Sequence, residues 1–509
     1  MKKKVNLFLY SELEYRRGLA HKLLDEGVVD FCLAAHVSYT RIMPDHDNLK
    51  VIDIDPCLDV EYSLFYNINE IPTVSREVLK QMLPYESMAL KMGIRRSDHV
   101  PTCEYEDEKR KYLQHVRFWN YVLDEYKINL IVTHCMPHSQ GGYVIYGLAK
   151  IKNIPFLIYD RPGVFDERKF WGDSIEEMGR SVATRYEELT DARIDEFELD
   201  KDIERDYNKL ITRMNSGNIS RSTSSAKSIL EFKRDFWKYY RLRRNTFLRE
   251  YYHYSLRALL KPTTIVDLKK REIWFRLRKK QLRSLKYYIK TQCYGLAEYN
   301  KFAEDPDYSK KYICFFLQIY PEASLIPLAG VFAEQYNSIQ LLARAAEKVG
   351  CYVYVREHPA TAFRSKDLIS EIKSINNVRI VKEEISALDL MRNSIGVATQ
   401  TGTCILEAAT LSKPSFVFSE GYFYKGLPGV YEITDEYQCS DIIASVSNGI
   451  SVDPKDVRRY IYAIQLETIK EVTVSEEVKR VMNADYEVPP FPLQDRVDLI
   501  RRFIETHLL

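Results

Sequence analysis

Four short clusters hold the residue types that could do chemistry. They are Leu317-Gln318-Ile319-Tyr320-Pro321-Glu322, Val355-Arg356-Glu357-His358-Pro359, Thr399-Gln400-Thr401-Gly402-Thr403 with Glu407-Ala408 behind it, and Gly421-Tyr422-Phe423-Tyr424 running on to Leu427-Pro428-Gly429-Val430. Thr401-Gly402-Thr403, ahead of an apolar helical stretch, makes a tight turn whose backbone N–H groups and hydroxyls face an anion. Gly402 permits close backbone approach. Glu407, about one helical turn further on, suits the paired hydroxyls of a ribose. Arg356 offers a planar fork to a phosphate. His358 adds a group that titrates near neutrality and can protonate a leaving phosphate. Together these residues suit a nucleotide sugar. Each also has a plainer reading, the Thr-Gly-Thr turn as a helix cap and His-Pro as a structural strand end.

The elements that must position them follow from hydrophobic patterning. Each cluster comes just after an apolar run of strand length: Tyr312–Leu317, Cys351–Arg356, Ile395–Thr399 and Ser415–Phe418. A further strand, Val378–Val381, and helices Phe332–Val349, Lys366–Ser374, Ala387–Arg392 and Cys404–Leu411 complete the alternation. Continuous apolar strands separated by helices imply a parallel sheet covered on both faces, with ligand beyond its carboxyl edge. The first part of the chain repeats the rhythm. Val5–Tyr10, Val28–Ala35, Leu49–Asp55, Asn129–His134 and Pro155–Asp160 read as strands, and Glu12–Glu26 and Val144–Lys152 as helices. The expected fold class is α/β, with doubly wound domains at 1–184 and 306–453. A helical insert at 185–305 separates them, and helices at 454–509 follow.

Residues 312–431 resemble the capsule polysaccharide biosynthesis family, which includes the bacterial β-Kdo transferases and related surface-carbohydrate glycosyltransferases. The resemblance rests on the order and spacing of Gln318-Ile319-Tyr320-Pro321-Glu322, Phe332 with Gln335, Arg356-Glu357-His358-Pro359, Thr401-Gly402-Thr403 with Glu407-Ala408, Lys413-Pro414, and Tyr424 with Leu427–Val430. It implies a GT-B fold, two Rossmann-like domains of which the C-terminal one binds the activated sugar. Gln318, Glu322, Arg356, His358, Pro359, Thr401, Gly402, Thr403 and Glu407 would then bind the donor. His358 and Pro359 would lie near the phosphate of a CMP-linked acidic sugar. Arg356 stands where the family pattern has lysine, which keeps the charge and changes the hydrogen-bond geometry, so a UDP- or GDP-sugar stays open. The family also places an acidic residue and a glycine-containing turn where Asp160 precedes Arg161-Pro162-Gly163.

Asp160 ends a strand and would serve as general base in an inverting reaction or as nucleophile in a double displacement. A turn-capping role is the alternative, and Glu12, Glu14, His36 and His138 compete for the catalytic part. Three Asp-x-Asp triplets, Asp45–Asp47, Asp53–Asp55 and Asp305–Asp307, superficially offer a metal site. The second alternates along a strand and the third reads as a turn, so a metal-independent enzyme without a cofactor is expected, the nucleotide sugar being a co-substrate.

The 509 residues carry 74 Lys+Arg against 72 Asp+Glu, a formal charge of +2 that hides one strongly basic stretch. Residues 227–290 hold 20 Lys/Arg, 5 Asp/Glu and 13 aromatics, a local net of +15. At helical spacing Arg234, Lys238, Arg241 and Arg249 fall opposite Phe232, Phe236, Tyr240, Phe247, Tyr251 and Tyr254, while Arg243 breaks the pattern. Such a face suits an anionic membrane surface, or else the aromatics pack on the sheets and the charges are solvated. Nucleic acid ranks last, because no recognisable RNA- or DNA-binding motif accompanies the charge. The nine cysteines are scattered without a Cys-x-x-Cys pair, which argues for reduced core residues. The apolar run after Met1-Lys2-Lys3-Lys4 is too short for a signal peptide, and no run is long enough for a membrane span. The expected address is the cytoplasm, at the inner face of the membrane. The expected reaction is transfer of a sugar to a glycan or lipid-linked glycan. A UDP-sugar 2-epimerase of the same fold and a non-catalytic glycan-binding or scaffold subunit are the alternatives.

Overall fold

The computed structural model describes residues 4–11, 14, 18–36, 44–54, 57, 60, 62–64, 66–96, 105–165, 167–189, 197–215, 299, 301–319, 325–358, 366–382, 384–470 and 493–508. Glu12, Glu322, Pro359 and the basic stretch 227–290 lie outside the described residues.

The first sheet contains β1 (Asn6–Leu9), β2 (Phe31–His36), β3 (Leu49–Asp53), β4 (Leu130–Thr133), β5 (Phe156–Asp160) and β6 (Arg168–Gly172). The second contains β7 (Tyr312–Phe316), β8 (Tyr352–Arg356), β9 (Val378–Ile380), β10 (Gly396–Thr399), β11 (Ser415–Val417) and β12 (Val430–Glu432). A late strand, β13 (Ile469–Lys470), returns to the first sheet. The strand orders are β13-β6-β5-β4-β1-β2-β3 and β12-β11-β10-β7-β8-β9. The second sheet is parallel throughout, and in the first β6 alone runs opposite to the rest, pairing antiparallel with both β5 and β13. Winding reverses between β1 and β4 in one sheet and between β7 and β10 in the other. This is the pair of Rossmann-like domains expected of a GT-B-like chain.

The helices of the first half are α1 (Leu19–Asp25), α2 (Arg76–Gln81), α3 (Leu83–Arg96), α4 (Tyr105–Glu125), α5 (Gln140–Ile151), α6 (Arg180–Glu188) and α7 (Lys201–Asn215). Those of the second are α8 (Gln335–Glu347), α9 (Lys366–Lys373), α10 (Ala387–Asn393), α11 (Cys404–Thr410), α12 (Glu436–Ser447), α13 (Pro454–Glu467) and α14 (Gln494–His507). The central strands, such as β4, β7 and β10, are apolar because helices cover both sheet faces. Leu7, Leu9, Ala34, Leu130, Val132 and Leu157 meet α1 and α14. Phe8, Leu33, Ile131 and Ile158 meet Trp119 of α4 and Val144, Ile145 and Leu148 of α5. In the second sheet Ile313, Phe315, Val353 and Val355 pack on α8 and α12, and Tyr312, Cys314, Tyr354 and Val397 on α10 and α11. Helix starts carry their own stops: Ser139, Ser386, Asp435 and Asp453 each accept a first-turn N–H, and Pro454 follows the last.

The larger core runs through both halves. It takes in α4, α5 and α7, then Ile405 and Leu406 of α11, Tyr422, Tyr424 and Leu427 of the tyrosine-rich loop, and Tyr460 and Ile464 of α13. Helix α13 lies along α6, β13 pairs with β6, and α14 covers the first sheet. The N-terminal domain is therefore built from two stretches distant in sequence.

The return is pinned by a buried ion pair. Arg496 Nε of α14 lies 3.1 Å from Glu14 Oε2, with side chains 2% and 0% exposed. Breaking a buried pair on one side costs about 3–5 kcal/mol, because the surviving charge stays desolvated. Arg496→Met should lower unfolding free energy by about that amount, read by chemical denaturation. The double variant Glu14→Gln/Arg496→Met should recover more than half of it. Equal stability of the single variant and the parent would show that the pair does not hold α14.

Candidate functional site

The register of the second sheet aligns the motif residues. Phe316 pairs with Arg356 and Phe315 with Ala398, so Gln318 lies level with His358 on one side and Thr401 on the other. All three stand beyond the carboxyl edge, at or beside the β7/β10 reversal. Gln318 is locked there. Its N–H donates to Gln335 Oε1 of α8 at 2.7 Å, and its Nε2 donates to Thr399 Oγ1 at 2.8 Å. Gln335 returns a bond from Nε2 to the Gln318 carbonyl at 3.3 Å. The role of Gly402 is to leave room for that amide: a Cβ there would sit 2.6 Å from Gln318 Nε2 and 3.0 Å from Thr399 Oγ1.

Thr401 is buried, whereas Thr403 is exposed and heads α11 without a side-chain capping bond. Gln400 is fully buried and donates to Ser338 Oγ of α8 at 3.3 Å. Arg356 is 8% exposed and its Nε donates to the Ile385 carbonyl at 3.0 Å. The backbone N–H of half-buried His358 donates to Glu357 Oε1 at 2.8 Å. Glu407 sits in the first turn of α11 with its Oε1 against Nη2 of Arg213 from α7. Burial pushes the Glu407 carboxyl above the ordinary carboxylate range, and Arg213 pulls the other way.

On the other sheet Asp160 closes β5. Its Oδ2 accepts the Met136 N–H at 3.0 Å and its Oδ1 the Arg161 N–H at 2.7 Å. It thereby ties the loop after β4 to the end of β5. Burial is the largest influence on Asp160 and raises its carboxyl above the ordinary range. The two N–H bonds and nearby Lys169 and His138 oppose the rise. Of the competing residues, Glu14 is paired with Arg496. His36 is buried at the end of β2, and exposed His138 bonds the Met136 carbonyl through Nδ1 at 2.7 Å. A contact that motif reading missed joins the same edge: Ser11 Oγ lies 2.7 Å from His134 Nδ1 and accepts the Glu14 N–H at 3.1 Å.

The two edges meet. The loop Arg161-Pro162-Gly163 abuts the Thr401–Thr403 turn, and a Cβ on Gly163 would lie 3.2 Å from Thr403 Cγ2. Tyr424 donates its hydroxyl to the Pro162 carbonyl at 3.2 Å. Among the described residues no group of three or more side chains is arranged to hold a metal ion. Asp305 pairs with Lys382, and Asp307 accepts from the N–H and hydroxyl of Ser309 as a turn residue. No helix among the described residues is long and apolar enough to cross a membrane.

No protein-family model and no curated protein matches the chain. Solved structures do. The β-Kdo 2,7 transferase KpsC of Thermosulfurimonas dismutans matches at 10% identity over 81% of this chain and 98% of that one, with a TM-score of 0.30. The β-Kdo 2,4 transferase from the same source matches at 12% identity over 74% and 87%, with a TM-score of 0.29. UDP-GlcNAc 2-epimerase from Methanocaldococcus jannaschii matches at 9% identity over 91% and 100%, with a TM-score of 0.25. The family resembled in sequence is thus among the matched structures. Likeness of this degree says nothing of activity, and the fold rests on the chain's own strand order.

Asp160 makes a pH-dependent stability testable. Its carboxyl titrates higher when folded than when unfolded, so its stabilising contribution is complete below the unfolded value and is lost as pH rises through the folded one. The parent should lose stability in denaturant titrations as pH rises from the ordinary carboxylate range toward neutrality. Asp160→Asn should lose less over the same interval. Identical slopes would mean that Asp160 is not held in this way.

Proposed function

We propose that the chain is a glycosyltransferase that moves a sugar from a nucleotide-sugar donor to a growing bacterial surface glycan of the capsule or lipopolysaccharide type. A CMP-linked acidic sugar is the favoured donor. The observation that carries the reading is the meeting of two carboxyl edges, with the Asp160–Gly163 loop of one sheet against the Thr401–Thr403 turn of the other. A donor seated at the turn presents its anomeric carbon toward the facing domain, where the acceptor belongs. Gln318, Thr401, Gly402 and Thr403 form the floor for the donor, and Glu407 takes the ribose hydroxyls. His358, level with Gln318, serves the leaving phosphate.

Asp160 is the carboxylate offered to the acceptor side. Its raised titration supports a role as base, because a base is most effective when its pKa approaches the working pH. Lipid-linked acceptors, a membrane surface and a cytoplasmic address remain part of the proposal, with residues 227–290 as the membrane-facing stretch.

Incubation with CMP-, UDP- and GDP-sugars and glycan acceptors should release nucleotide and lengthen the acceptor. Asp160→Asn and His358→Ala should each lower turnover about 10²–10⁴-fold, the usual contribution of a positioned acid or base, with circular dichroism unchanged. Unaltered turnover in both would sink the site. Release of an epimerised free sugar without any acceptor would move the chain to the epimerase class.

A further inference from the structure

Phe332 and Gln335 of the sequence pattern stand at the entry to α8. Phe332 lies just before the helix and meets Phe418, the residue after β11, edge-on at 5.6 Å. Gln335 is the first residue of the helix and bonds Gln318, two residues past β7. Between them they pin the start of α8 to two strand ends of the second sheet.

Gln318 needs such a partner. The Leu317 N–H still reaches a strand carbonyl, that of Arg356, at 3.0 Å. One residue on, the chain has left β7, yet Gln318 is only 8% exposed. A buried main-chain N–H or carbonyl without a partner is costly. Gln335, 2% exposed, serves both groups: its Oε1 accepts the N–H at 2.7 Å and its Nε2 donates to the carbonyl at 3.3 Å. An amide offers a donor and an acceptor together, whereas an ionised carboxylate only accepts.

The main chain held in this way carries the Gln318 amide to the Thr-Gly-Thr turn. Its Nε2 donates to Thr399 Oγ1 at 2.8 Å, and a Cβ on Gly402 would lie 2.6 Å from that nitrogen. The Gln318 amide therefore backs Gly402 directly. Ser338, three residues along α8 and on the same face as Gln335, accepts from Gln400 Nε2 at 3.3 Å. The first turn of α8 thus holds the chain on both sides of the β7/β10 reversal.

We propose that Gln335 is a positioning residue for the nucleotide phosphate, acting through Gln318 to set the Thr401–Thr403 turn against the sheet edge. This rests on the nucleotide-sugar reading above. Gln335 fixes the Gln318 main chain, the Gln318 amide backs Gly402, and the turn offers its N–H groups and hydroxyls to the phosphate. Donors aligned before the ligand arrives lose less freedom on binding. A nucleoside, which lacks the phosphate, gains nothing from that alignment.

The test compares nucleotides with their nucleosides on the full-length protein. Binding of CMP, UDP and GDP, and of cytidine, uridine and guanosine, is measured by calorimetry. Gln335→Met keeps the length of the side chain and removes both bonds. It should weaken the nucleotide that binds by about five- to tenfold, the scale of a lost buried hydrogen bond, and leave its nucleoside within about twofold. Gln335→Glu keeps an acceptor for the Gln318 N–H and should show the same selectivity with a smaller loss. Gln318→Met/Gln335→Met should bind nucleotide no worse than the weaker single variant, because the two residues act in series. Leu342→Ala, in the core under the same helix, is the control for a loosened α8. It should lower stability and leave nucleotide affinity within about twofold. Equal weakening of nucleotide and nucleoside, additive losses in the double variant, or loss of fold in both Gln335 variants makes Gln335 a purely structural residue and overturns this inference alone. Failure of the parent to bind any of the six compounds overturns the nucleotide site itself, and this inference with it.

Discussion

The geometry of the candidate site depends on one packing constraint, the seating of the tyrosine-rich loop of the second domain directly on backbone of the first. Gly179 has φ +81°, and a Cβ there would lie 2.4 Å from the Phe423 carbonyl oxygen. No side chain can be accommodated at that distance, so the two main chains touch. Phe170 of β6 meets the Phe423 ring edge-on at 5.7 Å, and Tyr424 is fixed by its bond to the Pro162 carbonyl. Tyr460 of α13 donates to the Lys425 carbonyl at 2.7 Å and closes the loop from behind. A close-packed contact of this kind deforms little. Pro162 is two residues from Asp160, so the joint also fixes how far the Asp160 carboxylate stands from the Thr-Gly-Thr turn.

The joint is reinforced by polar groups that would be costly if left alone. Arg168 on β6 is almost completely buried, with Nε on Asp202 of α7 and Nη1 on the Gln465 carbonyl of α13 at 3.3 Å. One side chain thus ties β6 of the first sheet to the helix that carries Arg213 and to the helix that brings the chain back. Arg459 of α13 adds a bond to the Tyr186 hydroxyl of α6 at 2.7 Å. Burying charge in this way gains little net stability but makes alternative placements expensive, since each would strand a desolvated ion. The result is a fixed path from β6 through α7 to Glu407.

Much of the fold was legible because parallel strands covered on both faces must be apolar at every position. The runs ending at Leu9, Thr133, Asp160, Phe316, Arg356 and Thr399 were visible for that reason. Strand β6 was not, because it opens with Arg168-Lys169 and its burial depends on partners such as Asp202, 34 residues away. Strands β12 and β13 have three and two residues, too short for periodicity to register. The first helix was read as starting at Glu12. Leu19–Asp25 of that span is helix, behind Gly18 at φ +84°, a conformation that glycine reaches at no steric cost, and Glu14 is helical too, while Glu12 and residues 15–17 lie outside the described residues.

The site was legible to a different depth. Strand register decides which residues stand level at a sheet edge, and apolar patterning reveals the strand ends. Gln318, His358 and Thr401 therefore come together as the motif spacing implied. Register does not decide where a side chain turns. Arg356 and Arg213 are both cations near the same edge, yet one is folded onto the Ile385 carbonyl and the other reaches Glu407 of α11. The difference arises from tertiary contacts, above all an ion pair that spans 194 residues of sequence. Motifs of adjacent residues cannot contain such a pair, since its two members belong to helices far apart in the chain that pack directly on one another. Charge placement at this site is thus a property of how α7 docks on α11, and the motif supplies the level at which that docking takes effect.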